Sequence, residues 1–232
     1  MSVLEIKDLR KRYGTVTALD GLTLAADREI YGLIGPNGAG KSTALAILVG
    51  LLRADGGTAC VAGFEAGTHP LEVKRRTGLL PEEPFFYEYL TGAETLRFAA
   101  SAHGVCWEKN AFLNGWIEQL DMTPHLNQLV GHYSHGMRQK LGLFLTLLHD
   151  PVLLLWDEPY VGLDFPSQEK VKRLLHELKE RGTTVVISTH VLPLVEAAAD
   201  RVGFILEGRL RWTGDNPGDL ARLFADVPGM VP

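Results

Sequence analysis

Short apolar runs alternate with stretches of helical periodicity along most of the chain. The apolar runs predict strands at Val3–Lys7, Leu22–Ala25, Ile30–Ile34, Thr58–Val61, Thr77–Leu80, Val152–Trp156, Thr184–Ser188, Val202–Leu206 and Arg209–Trp212. The periodic stretches predict helices at Lys41–Val49, Leu71–Arg75, Ser167–Glu180, Leu192–Ala199 and Pro217–Phe224. Strands that alternate with helices are typical of an α/β fold with a mostly parallel sheet.

Between Pro84 and Asp150 the strand pattern disappears and three helical segments replace it. We predict these helices at Ala93–His103, Lys109–Asp121 and Gly136–Leu148. Thr91 and Glu94 have the spacing of a capping box, and Gly104 marks the end of the first helix. We therefore expect a helical subdomain at about residues 85–150, inserted into a core of residues 1–84 and 151–232. Residues 227–232 are expected to form a loose tail.

The charge balance and the cysteines narrow the range of partners and compartments. The 232 residues include 23 Lys and Arg against 28 Asp and Glu, a formal charge of −5. Proteins that bind duplex DNA or anionic membranes are usually basic, so we expect no nucleic-acid partner. Cys60 and Cys106 form no CxxC pair and are expected to be buried and reduced. Without an apolar run near the ~18 residues of a membrane span, and without a signal-peptide core, we expect a cytoplasmic protein.

A glycine-rich loop between a predicted strand and a predicted helix is the strongest chemical signal. Residues 35–43 read G-P-N-G-A-G-K-S-T and satisfy G-x-x-x-x-G-K-[ST]. Such glycines let backbone N–H groups surround phosphate oxygens at the positive end of a helix. Lys41 supplies charge for the β- and γ-phosphates, and the Ser42 hydroxyl can ligate Mg²⁺. We predict nucleotide binding by Gly35, Pro36, Asn37, Gly38, Ala39, Gly40, Lys41, Ser42 and Thr43.

Two carboxylates follow the buried run 153–156. Strand ends of a parallel sheet face the ligand crevice, so Asp157 is placed to hold Mg²⁺ and Glu158 to polarise a water against the γ-phosphate. A solvated acidic turn is the alternative interpretation. His190 follows the strand 184–188; such a histidine more often packs or caps, although here it can contact the γ-phosphate. Ser134 and Gly136 lie at a predicted helix start and offer a second anion site.

These elements, in this order, resemble the nucleotide-binding subunit of ATP-binding-cassette (ABC) transporters over essentially the whole chain. Residues 35–43 resemble the Walker A motif, 153–158 Walker B, 133–137 the signature motif (usually L-S-G-G-Q) and 161–164 the D-loop. Tyr13 corresponds to the aromatic that stacks on adenine, and His190 to the switch histidine. The implied fold is a P-loop NTPase core with a mostly parallel sheet, an N-terminal antiparallel β portion and an inserted helical subdomain.

The chain departs from the family pattern at two motifs. The signature has Tyr133, His135 and Met137 in place of Leu, Gly and Gln, while Ser134 and Gly136 are kept. Glu82 occupies a position where the family usually has Gln, and its carboxylate can still accept from water or ligate Mg²⁺. The expected metal ligands are therefore Ser42, Asp157 and Glu82. The signature resembles the branch that serves bacterial multidrug and ABC-2-type exporters.

The resemblance implies a catalytic role for Lys41, Glu158 and His190 in Mg²⁺-dependent ATP hydrolysis. It also implies a dimer, homomeric or heteromeric, in which Ser134, Gly136 and Asp164 of one cassette contact ATP held by the other.

A separate transmembrane permease is also implied, holding the chain at the inner face of the cell membrane. The aromatic stretch 84–90 is a candidate docking groove, with core packing as the alternative. A soluble ABC ATPase of DNA repair or translation, a phosphate-loop kinase and an importer cassette remain alternatives. The single cassette and the absence of sustained heptads favour transport, and the signature favours export.

Overall fold

Two β-sheets organise the computed structural model, which describes residues 2–160 and 162–228. The first sheet is antiparallel with the order β2-β1-β4-β5. The second has six strands in the order β10-β9-β3-β8-β7-β6, and all neighbours are parallel except β9 and β10. The strands are β1 Leu4–Tyr13, β2 Val16–Ala26, β3 Ile30–Ile34, β4 Gly56–Val61, β5 Phe64–Glu65, β6 Thr77–Leu80, β7 Leu153–Asp157, β8 Thr184–Thr189, β9 Arg201–Leu206 and β10 Arg209–Asp215.

Helices cover the parallel sheet and form all the regular structure between β6 and β7. They are α1 Lys41–Leu48, α2 Pro70–Lys74, α3 Gly92–His103, α4 Ala111–Gln119, α5 His135–Leu147, α6 Phe165–Glu180, α7 Leu192–Glu196 and α8 Leu220–Asp226. Short 3₁₀ turns lie at Trp107–Lys109, Thr123–His125 and Val130–His132. The predicted fold class is confirmed. Among the described helices, none combines the length and the apolar character that crossing a membrane requires.

The central strands are buried on both faces because their side chains alternate between two cores. Leu153 and Leu155 of β7 pack in the cluster that includes β1, β2 and α1. Leu154 and Trp156 point the other way, into the cluster formed with α3–α6. β7 therefore packs in both hydrophobic clusters immediately before the two carboxylates, Asp157 and Glu158.

Several element boundaries differ from the sequence prediction, mostly where a polar side chain decides them. α6 begins at Phe165 because the Asp164 side chain accepts from the Ser167 N–H, and α4 begins at Ala111 because Asn110 caps it in the same way. Likewise α8 begins at Leu220 after the Asp219 cap. The capping box of Thr91 and the end of α3 at Gly104 are confirmed.

The N-terminal strands extend further than their apolar runs. β2 begins at Val16 instead of Leu22, and β1 continues to Tyr13. Part of this antiparallel sheet faces solvent, where charged residues are tolerated and pair across strands. Arg10, for example, donates to Asp20 at 3.2 Å. The two-residue strand β5 was not predicted.

Three burial expectations are wrong. Cys106 is exposed in the turn after α3, and Cys60 is half-buried, since one face of β4 is partly solvated. Val227, expected in a loose tail, is buried against the main core. Residues 229–232 of that tail lie outside the described residues.

Candidate nucleotide site

The phosphate loop connects β3 to α1 and is packed tightly against the N-terminal sheet. Gly40 is the N-cap of α1 and has φ of 104°. A Cβ at this position would lie 2.4 Å from the Ala18 carbonyl oxygen, so no side chain fits. Lys41 is therefore the first helical residue, at the positive end of the helix dipole.

Lys41 is held inside the loop by backbone carbonyls. Its Nζ donates to Gly35 O at 2.7 Å and to Pro36 O at 3.2 Å, and the side chain is buried. Burial lowers the pKa of Lys41, while the neighbouring charges of Glu158, Asp157 and Glu82 act in the opposite direction. The Lys41 ammonium group is thus partly desolvated and surrounded by hydrogen-bond acceptors.

A cleft of about 290 Å³ opens beside this loop. Its lining residues are Tyr13, Ala18, Asn37, Gly38, Gly40, Lys41, Ser42, Thr43, Glu82, Asp157 and Glu158. Three residues of the predicted loop do not line it. Gly35 and Pro36 instead supply the carbonyls that bind Lys41, and Ala39 packs in the core.

Tyr13 lies at the end of β1 at one wall of this cleft. Its ring is about half exposed, at 47%. Lys11 Nζ lies 5.7 Å from the ring centroid and also binds Asp55 at 3.0 Å. The accessible aromatic face can stack on a planar base.

Asp157 and Ser42 form an oxygen-rich corner of the cleft. Ser42 Oγ donates to Asp157 Oδ2 at 2.6 Å, and Ser188 Oγ donates to Oδ1. Mg²⁺ prefers such hard oxygen ligands and commonly takes one or two carboxylates together with substrate phosphates. This oxygen donor set fits Mg²⁺.

Glu82 reaches the same cleft from the loop after β6. Its side chain is exposed, and its backbone oxygen accepts from Gln139 Nε2 of α5 at 2.5 Å. Gln139 is buried, so this contact fixes the Glu82 loop to the helix that begins at the signature motif. No role for Gln139 was predicted from the sequence.

Glu158 is buried beyond the end of β7, in a left-handed backbone conformation with φ of 50°. Its Oε2 accepts from Thr189 Oγ1 at 2.7 Å. Its Oε1 lies 2.8 Å from His190 Nδ1 and 4.0 Å from Lys41 Nζ. An ionised carboxylate only accepts, so Nδ1 of His190 is the donor. The structure brings all three predicted catalytic side chains together.

The signature motif forms a second, separate cluster. Ser134 caps α5 by accepting from the Met137 N–H at 3.2 Å. A Cβ on Gly136 would lie 2.6 Å from the Gly162 carbonyl oxygen, so the helix start packs directly on the D-loop. Asp164 of that loop caps α6. Ser134, Gly136 and Asp164 do not line the nucleotide cleft of their own chain.

His135 packs over Gly162, where a side chain on the glycine would overlap the ring. The unusual histidine of the signature is therefore accommodated by the glycine of the D-loop. Val161 of the predicted D-loop lies outside the described residues.

Two hydroxyl residues near the site were missed from the sequence. Ser188 and Thr189 bind Asp157 and Glu158, respectively. Their position immediately before His190, at the end of a buried strand, was the available signal. This signal was not used, because Ser188 and Thr189 can bind Asp157 and Glu158 only when β7 and β8 are neighbours in the sheet.

An aromatic surface lies away from the cleft, after the Glu82 loop. We use this name for Phe85, Tyr87, Tyr89 and Phe98, which are all more than half exposed. Phe85 contacts Tyr87 edge to face at 5.9 Å, and Tyr87 contacts Phe98 at 5.8 Å. A groove of about 500 Å³ runs beside it. Phe86, in the same stretch, is buried in the main core, so the core-packing alternative holds for this residue and not for its exposed neighbours.

Comparison with known proteins decides the family. The family described as ABC transporter matches residues 20–161. The chain belongs to the ABC transporter family. It is an ATP-binding cassette of this ATPase family.

Curated relatives align over most of this cassette. The bacitracin transport ATP-binding protein BcrA of Bacillus licheniformis is 38% identical over 90% of this chain and 68% of its own length. The daunorubicin resistance ATP-binding protein DrrA2 of Streptomyces coeruleorubidus is 39% identical over 93% and 67%. The fluoroquinolones export ATP-binding protein of Mycobacterium tuberculosis is 37% identical over 90% and 69%.

Solved structures agree with the fold. The ATP-binding subunit of an ABC transporter superposes with a TM-score of 0.88, at 31% identity, over 98% of this cassette and 95% of that chain. A dimeric cassette bound to ADP and phosphate, at 22% identity, has a TM-score of 0.83 over 91% of this cassette and 98% of that chain. The second likeness concerns the fold alone.

Replacing the buried lysine tests the ATP site. Lys41→Ala should weaken ATP binding by at least about 100-fold, because the loop amides alone cannot balance the γ-phosphate charge. Isothermal titration calorimetry measures the change. Lys170→Ala is the matched control: it removes a lysine of α6 that pairs with Asp121, and this variant should bind ATP normally. Micromolar ATP affinity retained by a folded Lys41→Ala variant would contradict this account of the site.

Proposed function

We propose that the cassette hydrolyses ATP to drive export through a separate transmembrane permease. One observation carries this proposal: Lys41, Asp157 and Glu158 face one cleft, while Ser134, which is exposed, and Gly136, which is half-buried, lie outside it. A second cassette is needed to bring the two halves together around ATP. The names of the relatives, which concern bacitracin, daunorubicin and fluoroquinolones, favour export as the process.

Each site residue has a role in this proposal. Asn37, Gly38 and Gly40 to Thr43, the loop residues that line the cleft, surround the phosphates, with Lys41 on the β- and γ-phosphates, and Tyr13 stacks on adenine. Ser42 and Asp157 would hold Mg²⁺, with Glu82 beside them; the ion, when bound, neutralises charge on the phosphate oxygens.

The reacting water is handled by the carboxylate and histidine pair. Glu158 accepts a proton from this water, and His190 contacts the γ-phosphate and senses its loss. The two side chains share a hydrogen bond at 2.8 Å, so the proposed base and the proposed switch are in direct contact.

The dimer supplies the other half of each site. Ser134 and Gly136 present a hydroxyl and helix-terminal N–H groups to the γ-phosphate of ATP on the opposite cassette, with Asp164 next to them. A pair of identical chains and a pair with a homologue both satisfy this geometry.

The permease docks on the aromatic surface and its groove. Large exposed apolar patches on soluble domains mark interaction sites, and this one lies on the same loop as Glu82. A movement of Glu82 when the ATP site opens or closes would therefore be transmitted to the permease through the few residues between Glu82 and the aromatic surface. We propose that the helical segment at about residues 85–150 forms the subdomain that carries this surface, and that the cassette is held at the cytoplasmic face of the membrane by its partner.

A mixing experiment tests the composite site. Glu158→Gln should bind ATP and form a stable dimer without turnover, and Ser134→Arg should bind ATP as a monomer without hydrolysis. A mixed dimer contains one site with an intact Glu158 and an intact Ser134. Mixing the two inactive variants should therefore restore phosphate release, up to about half the wild-type rate per dimer. Normal hydrolysis by Ser134→Arg alone, or no recovery on mixing, would contradict a composite site formed by two copies of this chain.

Affinity purification tests the permease. The tagged Glu158→Gln variant, in membranes solubilised with a mild detergent, should retain a polytopic membrane protein in stoichiometric amount, identified by mass spectrometry. A double variant, Phe85→Ala with Tyr89→Ala, should lose it. Val16→Ala, which shortens another exposed apolar side chain, on the N-terminal sheet, should not. A chain that dimerises with ATP but retains no membrane protein would favour the soluble ABC ATPase instead.

A further inference from the structure

Ser188 and Thr189, at the end of β8, carry hydroxyl side chains that have no role in the function proposed above. β7 and β8 are parallel neighbours in which Asp157 pairs with Ser188. The residues that follow, Glu158 and Thr189, are therefore also adjacent, and the Glu158 N–H donates to Ser188 O at 2.7 Å. The backbone of β8 thus fixes the position of Glu158 directly after the end of β7.

Thr189 holds one oxygen of the glutamate from inside the protein. Its Oγ1 is 2.7 Å from Glu158 Oε2 and accepts from the Val191 N–H at 3.1 Å. Because that amide uses a lone pair, the hydroxyl proton is left for the carboxylate. Thr189 has no exposed surface, so water does not compete for this bond.

The second oxygen of Glu158 has different surroundings. Oε1 faces the phosphate loop, 4.0 Å from Lys41 Nζ, and contacts His190 at 2.8 Å. The side chain of His190 is 52% exposed. One oxygen is therefore fixed to the sheet, and the other lies between Lys41 and the half-exposed His190.

We propose that Thr189 is the positioning residue of Glu158. It fixes Oε2 and leaves Oε1 as the oxygen that receives the proton of the attacking water. In this step a water O–H bond breaks and its proton goes to Oε1, the water oxygen bonds to the γ-phosphorus, and ADP leaves with the electrons of the broken P–O bond. The inference rests on the proposed role of Glu158 as general base.

Thr189→Val tests the inference because it removes the donor and preserves the shape of the side chain. We expect kcat for phosphate release to fall about 10- to 100-fold, since a small misplacement of a reacting group has effects of this size. KM for ATP and ATP affinity by calorimetry should stay within about twofold, because Thr189 contacts no residue of the phosphate loop through its hydroxyl. Thr189→Ser, which keeps the donor, should restore kcat.

Thr184→Val is the matched control. It removes a buried hydroxyl from the opposite end of the same strand, where Oγ1 accepts from the Arg28 N–H at 2.8 Å. It should lower the melting temperature to a similar extent and leave kcat at the wild-type value. A wild-type kcat in Thr189→Val, equal losses of kcat in both valine variants, or no rescue by serine would each overturn the inference.

Glu158→Gln separates this inference from the proposed function. If that variant hydrolyses ATP normally, Glu158 is not the base and both proposals fail. If it is inactive while Thr189→Val has wild-type kcat, only the positioning role of Thr189 fails.

Discussion

The parallel pairing of β3, β8 and β7 is the constraint on which the proposed ATP site depends. Parallel neighbours end at the same edge of a sheet, so the loop after each strand opens into one crevice. The Gly35 N–H donates to Thr189 O at 3.2 Å, which joins the start of the phosphate loop directly to the end of β8. Lys41, Glu158 and His190 are far apart in sequence and meet because of this register.

Burial of these charges requires that each has partners. Lys41 and Glu158 are almost fully buried, and an isolated buried charge would be strongly destabilising. Backbone carbonyls satisfy the lysine, and side chains at the end of β8 satisfy both carboxylates. The same contacts fix the orientation of each charged group, so the hydrogen bonds that stabilise the buried charges also orient them for phosphate chemistry.

Local rules were sufficient for the parts of the site that lie on one stretch of chain. The spacing of residues 35–43 predicted both the loop and the start of α1 at Lys41, and the apolar run of β7 predicted the position of Asp157 and Glu158. Contacts between strands could not be read in this way. Thr189 binds Glu158 only because two strands are neighbours, and the burial of Phe86 among exposed aromatics depends on which side of the loop meets the core.

The separation of the signature cluster from the ATP cleft makes the central claim directly measurable. The structure of the Glu158→Gln variant with bound ATP and Mg²⁺, determined by crystallography or cryo-electron microscopy, is the decisive measurement. The account predicts a two-fold dimer in which Ser134 of one subunit is hydrogen-bonded to the γ-phosphate of ATP bound at Lys41 of the other. An ATP-bound monomer, or a dimer in which Ser134 faces solvent, would contradict it.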